Sequence, residues 1–181
     1  MDPKTTTNFV IPEVVSSHFH LKDGDVMADF GAGSGYFLRA LSLRVGSGKV
    51  YACEIQKNLV EKVSDQVRAQ GLSNVYPLWC DLEERGGVPI KDNALDVGLL
   101  VNTLFQLEDK TAVCAEIYRL LRPGGRLIVI DWTDSHGGLG PAPEHVCDEN
   151  SAKHLFESAS FVLEQAFPAG AHHYGLAFRK I

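Results

Sequence analysis

Near its N-terminus the chain reads Val26-Met27-Ala28-Asp29-Phe30-Gly31-Ala32-Gly33-Ser34-Gly35. Residues 26–30 are typical of a short apolar strand, and three glycines spaced two apart follow it. Glycine allows a tight turn and lets the backbone approach a ligand closely. Residues 36–45 have helical periodicity, so a ligand at this turn would lie near a helix N-terminus. Strand, turn and helix together predict a nucleotide-type site in an α/β domain.

The glycine spacing departs from the dinucleotide-binding fingerprint, G-x-G-x-x-G/A. Counted from Gly31, the second glycine is Gly33, but the third small residue falls on Tyr36 and the glycine comes one place early, at Gly35. The third glycine of that fingerprint provides close helix–strand packing. An NAD-dependent oxidoreductase therefore stays only as a disfavoured alternative.

Polar side chains end five predicted strands. After the first strand, the runs 49–54, 75–81, 95–102 and 127–131 end at Glu54, Asp81, Asn102 and Asp131. Ligands of open α/β sheets bind beyond the carboxyl ends of the strands. A single acid there often only caps a helix. Its recurrence favours a binding role for Asp29 and Glu54 and, more weakly, for Asp81.

Helical patterns alternate with these strands, at 34–45, 58–71, 109–121 and 151–160, and a short N-terminal helix is predicted at 9–21. Such alternation predicts a mostly parallel sheet covered on both faces. The last two strand-like runs, 161–167 and 173–180, are joined by five residues, too few for a crossover helix, so they should pair antiparallel. We expect one domain over 1–181, with 1–8 flexible.

Composition narrows the function classes. The 181 residues are 45% hydrophobic and 22% charged, with a net charge of −6. A net negative charge argues against broad affinity for nucleic acid. No apolar run approaches the length of a membrane span, and the polar start does not resemble a signal peptide. Four separated cysteines without a C-x-x-C pair favour reduced thiols and a cytoplasmic location.

The order of motifs, D-F-G-A-G-S-G, then Glu54, then Cys80-Asp81-Leu82, then L-R-P-G-G-R, resembles class I S-adenosylmethionine-dependent methyltransferases. The small ubiquinone/menaquinone-biosynthesis-type branch is the most similar. The likeness runs from about Phe9 to the C-terminus. It implies S-adenosylmethionine as cofactor and a Rossmann-like, doubly wound sheet. That sheet has seven strands, five parallel strands plus a C-terminal antiparallel hairpin.

The resemblance also assigns cofactor-binding roles. In it, Gly31, Ala32 and Gly33 face the methionine portion of the cofactor, and Asp29 organises this turn and the cofactor's amino group. Further roles fall on five residues at or just beyond the ends of the second, third and fourth strands. Glu54 would hold the ribose, Ile55 and Leu82 would lie against adenine, Asp81 would meet the adenine amino group, and Asn102 would offer a backbone contact to the methionine end.

The acceptor side is less defined. Methyl transfer from a sulfonium is an in-line displacement that needs alignment more than acid–base groups. No catalytic residue is therefore assigned, and the candidates near strand ends are Glu108, Asp131, Trp132 and His136, with Tyr36 and Phe105 as walls. No D/N-P-P-Y/F tetrapeptide follows the fourth strand, which argues against amino-directed DNA methyltransferases.

These features favour a small-molecule acceptor. A regulatory subunit that binds the cofactor without activity, a protein or RNA acceptor and a homo-oligomer stay open.

No metal site is predicted. Cys147 and His154 are seven residues apart with no second pair at ligand spacing. The adjacent residues His172 and His173 should point to opposite faces of a strand, which prevents both from binding one ion.

Overall fold

The sheet has seven strands in the order β3-β2-β1-β4-β5-β7-β6 in the computed structural model, which describes residues 10–181. Strands β1 to β5 run parallel, and β7 pairs antiparallel with both β5 and β6, which confirms the predicted sheet. The strands are β1 (Val26–Phe30), β2 (Lys49–Glu54), β3 (Val75–Trp79), β4 (Leu95–Val101), β5 (Leu121–Trp132), β6 (Phe161–Gly170) and β7 (His173–Lys180).

The helices are α1 (Pro12–Val15), α2 (Leu38–Val45), α3 (Lys57–Gln70), α4 (Lys110–Leu120) and α5 (Glu149–Ser158). The N-terminal helix predicted at 9–21 is shorter, because α1 passes into a 3-10 turn at Ser16–Phe19 and His20 is left-handed, with φ 49°. The predicted flexible segment 1–8 lies outside the described residues. Within residues 10–181, no helix is long and apolar enough to cross a membrane.

The helix predicted at 109–121 is slightly shorter, and the strand predicted at 127–131 begins earlier, at Leu121. Helix α4 stops at Leu120, and Leu121 is already extended, with ψ 138°. Leu121 pairs with Leu95, and an irregularity in the β4–β5 register follows. Pro123 is consistent with the early stop, because helices usually end at or before the residue that precedes a proline.

Apolar side chains fill both faces of the sheet. One cluster contains Phe30, Ile117 and Phe156 and lies under α4 and α5. The other contains Met27 and Leu41 and lies under α1, α2 and α3. A sheet covered on both faces is typical of parallel α/β proteins. The edge at the carboxyl ends of the strands is left to the loops, and the site lies there.

The turn between β1 and α2 requires its glycines. Gly31, Gly33 and Gly35 have φ of 77°, 55° and 78°. A Cβ on Gly35 would lie 2.9 Å from Leu38 Cδ1 and 3.4 Å from Val63 Cγ2. Gly35 thus permits the close packing of the turn on α2 and α3. In the dinucleotide-binding fingerprint the third glycine provides this packing. The sequence predicts its loss, because Tyr36 occupies that position.

We expect Gly35→Ala to destabilise the protein more than Gly86→Ala. Both residues have φ near 77°, but a Cβ on Gly86 would meet nothing within 4 Å. Both variants bear the cost of a left-handed alanine, roughly 1–2 kcal/mol. Overpacking should cost Gly35→Ala a further ~1–3 kcal/mol. Urea unfolding of the two variants measures the difference, and equal losses would contradict the packing role.

Candidate cofactor-binding site

A cavity of about 550 Å³ opens at the carboxyl ends of β1 to β4. It brings together Gly31, Gly33, Glu54, Ile55, Asp81 and Leu82 from the predicted site. The other predicted residues, Asp29, Ala32 and Asn102, do not line it. Its remaining lining residues are Cys53, Gln56, Leu59, Cys80, Glu83, Thr103, Gln106, Leu107 and Glu108.

Glu54 lies at the end of β2 and is only 7% exposed. One carboxylate oxygen accepts a hydrogen bond from the Gly33 N–H at 3.0 Å, and the other accepts from the Gln56 N–H at 2.9 Å. A carboxylate offers about four lone-pair positions. Each oxygen therefore keeps one acceptor position for a ligand, a pattern that suits two neighbouring hydroxyl groups.

The glycine turn is held against its neighbours from two sides. The N–H groups of Gly31 and Ala32 both donate to the Cys53 carbonyl at 2.9 Å. A Cβ on Gly31 would lie 2.7 Å from Thr103 Oγ1, whereas a Cβ on Gly33 would have no neighbour closer than 3.9 Å. Gly31 is therefore required by protein packing, and Gly33 leaves its space open to the cavity.

Asp131 positions the turn that follows β4. Its carboxylate is 1% exposed and accepts hydrogen bonds from the N–H groups of Thr103 (3.1 Å), Leu104 (2.9 Å) and Trp132 (2.8 Å). Burial raises the pKa of Asp131 to about 6, against the opposing effect of these hydrogen bonds. These hydrogen bonds make Asp131 a positioning residue for the turn after β4.

Asn102 precedes this turn in a left-handed conformation, with φ 52°. Its N–H donates to the Ile130 carbonyl at 2.8 Å, and its own carbonyl accepts from Gln106 Nε2 at 2.9 Å. The backbone contact that the sequence assigns to Asn102 would therefore use the second lone pair of that carbonyl.

Asp29 lies beneath the glycine turn and is 3% exposed. Burial, and to a smaller extent the negative charge of Glu54, raise the pKa of its carboxyl to about 7. A ligand ammonium group would offset the burial of an ionised Asp29.

A second cavity, of about 560 Å³, shares Gln106, Leu107 and Glu108 with the first. Its other lining residues are Phe105, Lys110, Glu144, His145, Val146, Cys147 and Ser151. Of the acceptor-side candidates, Glu108 lines both cavities and Phe105 lines the second.

The other acceptor-side candidates lie elsewhere. Tyr36 is 63% exposed and lines neither cavity, and Trp132 and His136 pack against histidines of the β6–β7 region.

Sequence reasoning missed Thr103, Gln106 and Leu107 as lining residues. They lie in the turn after β4 and in a 3-10 turn at Leu104–Gln106. Their residue types carry no motif. The only signal available was their position directly after a strand end, where ligands of α/β sheets bind.

We expect Asp131→Ala to lower the free energy of unfolding by about 3 kcal/mol or more. It would leave three buried N–H groups without acceptors, at roughly 1–3 kcal/mol each. Asp131→Asn keeps one oxygen acceptor and should lose less. Urea unfolding of both variants tests this order, and equal losses would contradict the positioning role.

The raised pKa of Asp29 predicts a pH-dependent stability. Between about pH 4 and pH 7 the folded protein binds this proton and the unfolded chain does not. Rising pH therefore lowers the free energy of unfolding. Asp29→Asn should remove this contribution, so that the stability of wild type relative to the variant falls across that range.

Urea unfolding at several pH values measures this dependence. Asp65→Asn, on exposed α3 surface, serves as the control and should parallel the wild type. If the free energy of unfolding changed with pH in the same way for wild type and Asp29→Asn, Asp29 would not have a raised pKa in the folded protein.

Comparison with known proteins identifies the family. A family model for a methyltransferase domain matches residues 28–129, which include the glycine turn, Glu54, Asp81 and Asn102. A crystal structure of a SAM dependent methyltransferase from Aquifex aeolicus is 30% identical, with a TM-score of 0.89 over 99% of this chain and 94% of that chain.

Curated relatives are longer proteins. The ubiquinone/menaquinone biosynthesis C-methyltransferase UbiE of Neisseria meningitidis is 30% identical over 115 residues, covering 63% of this chain and 45% of UbiE. Methyltransferase GfsG of Streptomyces halstedii is 27% identical over 131 residues, covering 72% of this chain and 46% of GfsG. The chain spans less than half of either relative. From the matched family and the shared fold, the chain belongs to the class I S-adenosylmethionine-dependent methyltransferases.

Proposed function

We propose that this chain transfers the methyl group of S-adenosylmethionine, the cofactor of its family, to a small-molecule acceptor. One observation carries the proposal. One cavity, at the carboxyl edge of a methyltransferase sheet, is lined by the open glycine turn, by Asp81 and by the Glu54 carboxylate, which two backbone hydrogen bonds hold in place. The family match gives no support to the oxidoreductase alternative.

In this proposal the cofactor lies along the cavity. Gly31, Ala32 and Gly33 would hold its methionine end, Asp29 beneath the turn would favour its ammonium group, and the two free acceptor positions of Glu54 would bind its ribose hydroxyls. The adenine lies at the far end, at Ile55, Asp81 and Leu82. Ile55 is 53% exposed and Leu82 8% exposed, so the cavity has apolar surface available there.

Asp81 has room for the adenine amino group. One of its oxygens, Oδ1, accepts a hydrogen bond from the Glu83 N–H at 2.9 Å. The other carboxylate oxygen can accept from the exocyclic amine.

The acceptor is proposed to occupy the second cavity, whose wall the cofactor cavity shares. The acceptor nucleophile would attack the methyl carbon as the carbon–sulfur bond breaks, releasing neutral S-adenosylhomocysteine. Alignment alone supplies up to roughly 7–11 kcal/mol of such a barrier. Where the acceptor must lose a proton, Glu108 is the carboxylate on the shared wall. UbiE is named a C-methyltransferase of quinone biosynthesis, so a phenol-type ring is our first acceptor class.

The proposal includes a reducing, cytoplasmic location. All four cysteines are free and buried, although Cys53 and Cys80 lie together at the cavity. Free thiols are typical of proteins in reducing compartments.

Glu54→Ala tests the cofactor site. Loss of charge-assisted hydrogen bonds to the ribose, each worth roughly 1.5–3 kcal/mol, should weaken binding by about 10- to 150-fold per bond lost. Calorimetric titration with S-adenosylmethionine and S-adenosylhomocysteine measures the change, with NADH titrated in parallel.

Glu61→Ala, exposed on α3, is the matched control and should bind normally. Unchanged affinity in Glu54→Ala would show that the ribose site is misplaced. Binding of NADH alone would contradict the assignment of S-adenosylmethionine as the cofactor.

Production of S-adenosylhomocysteine in the presence of substituted phenols and quinols tests the transfer itself. Turnover would support the proposed methyl transfer. Cofactor binding without turnover on a broad acceptor panel would favour the regulatory subunit without its own activity.

A further inference from the structure

Three potential metal ligands meet outside the cofactor and acceptor cavities. Asp134, His136 and His172, here called the Asp–His–His cluster, each offer one ligand atom, and these atoms lie within 4.8 Å of one another. The Nδ1 atom of His172 is 3.5 Å from Asp134 Oδ1. The proposed methyl transfer uses none of the three.

Strand pairing builds the cluster from two distant segments. β5 and β7 pair antiparallel with Trp132 opposite His173, and the Thr133 N–H donates to the His172 carbonyl at 2.9 Å. This register places the residues just beyond β5 beside the turn that enters β7. His173 itself is 4% exposed and is not one of the three ligands; its ring packs at a tilt on Trp132, with the ring centroids 4.3 Å apart.

The loop that carries His136 is held in an unusual conformation. His136 has φ 40°, a left-handed conformation that is uncommon for residues other than glycine. Its N–H donates to Asp134 Oδ1 at 2.8 Å, which orients that carboxylate. A Cβ on Gly140 would lie 2.8 Å from Trp132 Cε3, so the loop closes tightly on the end of β5. Backbone strain of this kind is concentrated at functional sites.

The two imidazole rings are unusually close. Their centroids lie 3.2 Å apart with an angle of 26° between the planes, whereas aromatic pairs usually lie about 4.5–7 Å apart and avoid face-to-face stacking. Both imidazoles are therefore within reach of one ion beside Asp134. The histidines are half-buried and Asp134 is exposed, so an ion can reach them from solvent.

We propose that the Asp–His–His cluster binds one divalent transition-metal cation, with Zn²⁺ as the expected ion. Two imidazole nitrogens and one carboxylate oxygen are a ligand set that Zn²⁺ accepts in three-ligand sites with an open fourth position. Zn–N and Zn–O distances are about 2.0–2.2 Å, so ion binding requires the three ligand atoms to move closer together around the ion. The inference is independent of the proposed methyl transfer.

Calorimetric titration of ZnCl₂ into the full chain, after removal of metal with a chelator, tests the site. We expect one Zn²⁺ per wild-type chain. Loss of a second-shell partner typically weakens metal binding 10- to 100-fold. His136→Ala and His172→Ala remove ligands and should each weaken it by at least about tenfold. Asp134→Asn, which keeps the shape of the side chain, should also weaken it.

His154→Ala is the matched control, because His154 is exposed on α5 and outside the cluster. This variant should bind like the wild type, and circular dichroism shows whether each variant is folded. A wild-type chain that takes up no Zn²⁺ overturns the proposal. Uptake that survives the loss of both His136 and His172, or that is lost in His154→Ala, overturns it as well.

Discussion

The site depends on the close approach of two turns at the carboxyl edge of the sheet. The turn after β1 passes Thr103 so closely that a Cβ on Gly31 would lie 2.7 Å from Thr103 Oγ1. Thr103 is fixed in turn by the Asp131 carboxylate at the end of β5. Neither contact belongs to one strand alone. Three parallel strands, β1, β4 and β5, therefore determine together where the floor of the cavity lies.

Electrostatics adds a second constraint on the same turn. Asp29 is fully buried and the Glu54 carboxylate lies nearby, so an ionised Asp29 is disfavoured without a cation. Glu54 itself is oriented by the Gly33 and Gln56 N–H groups. A ligand with both a cationic group and neighbouring hydroxyls would satisfy both carboxyl groups at once. S-adenosylmethionine has both features, which supports its proposed placement at this site.

The sheet edge extends beyond the cofactor cavity. The two cavities lie at the ends of the parallel strands, whereas the antiparallel pairing of β5 with β7 brings the residues of the Asp–His–His cluster together. Each arrangement uses the same physical rule, that strand register decides which loops become neighbours. Asp131 and Asp134 are three residues apart in sequence but have different neighbours. Asp131 accepts hydrogen bonds from the turn after β4, whereas Asp134 lies beside His136 and His172.

The sequence alone determined the parallel sheet with its antiparallel hairpin, the glycine turn and the family. The strands and the turn are legible because periodicity and spacing are local properties of the chain. The family is legible because several motifs in a fixed order are far more specific than any one of them. Six of nine expected cofactor contacts meet in one cavity, while their roles stay predictions. The tertiary structure decided that Gly35 performs the packing expected of a small residue at Tyr36, that Asp131 orients a turn, and that His172 meets His136. Those facts depend on strand register and on close contacts between distant segments, which residue types and spacing do not encode.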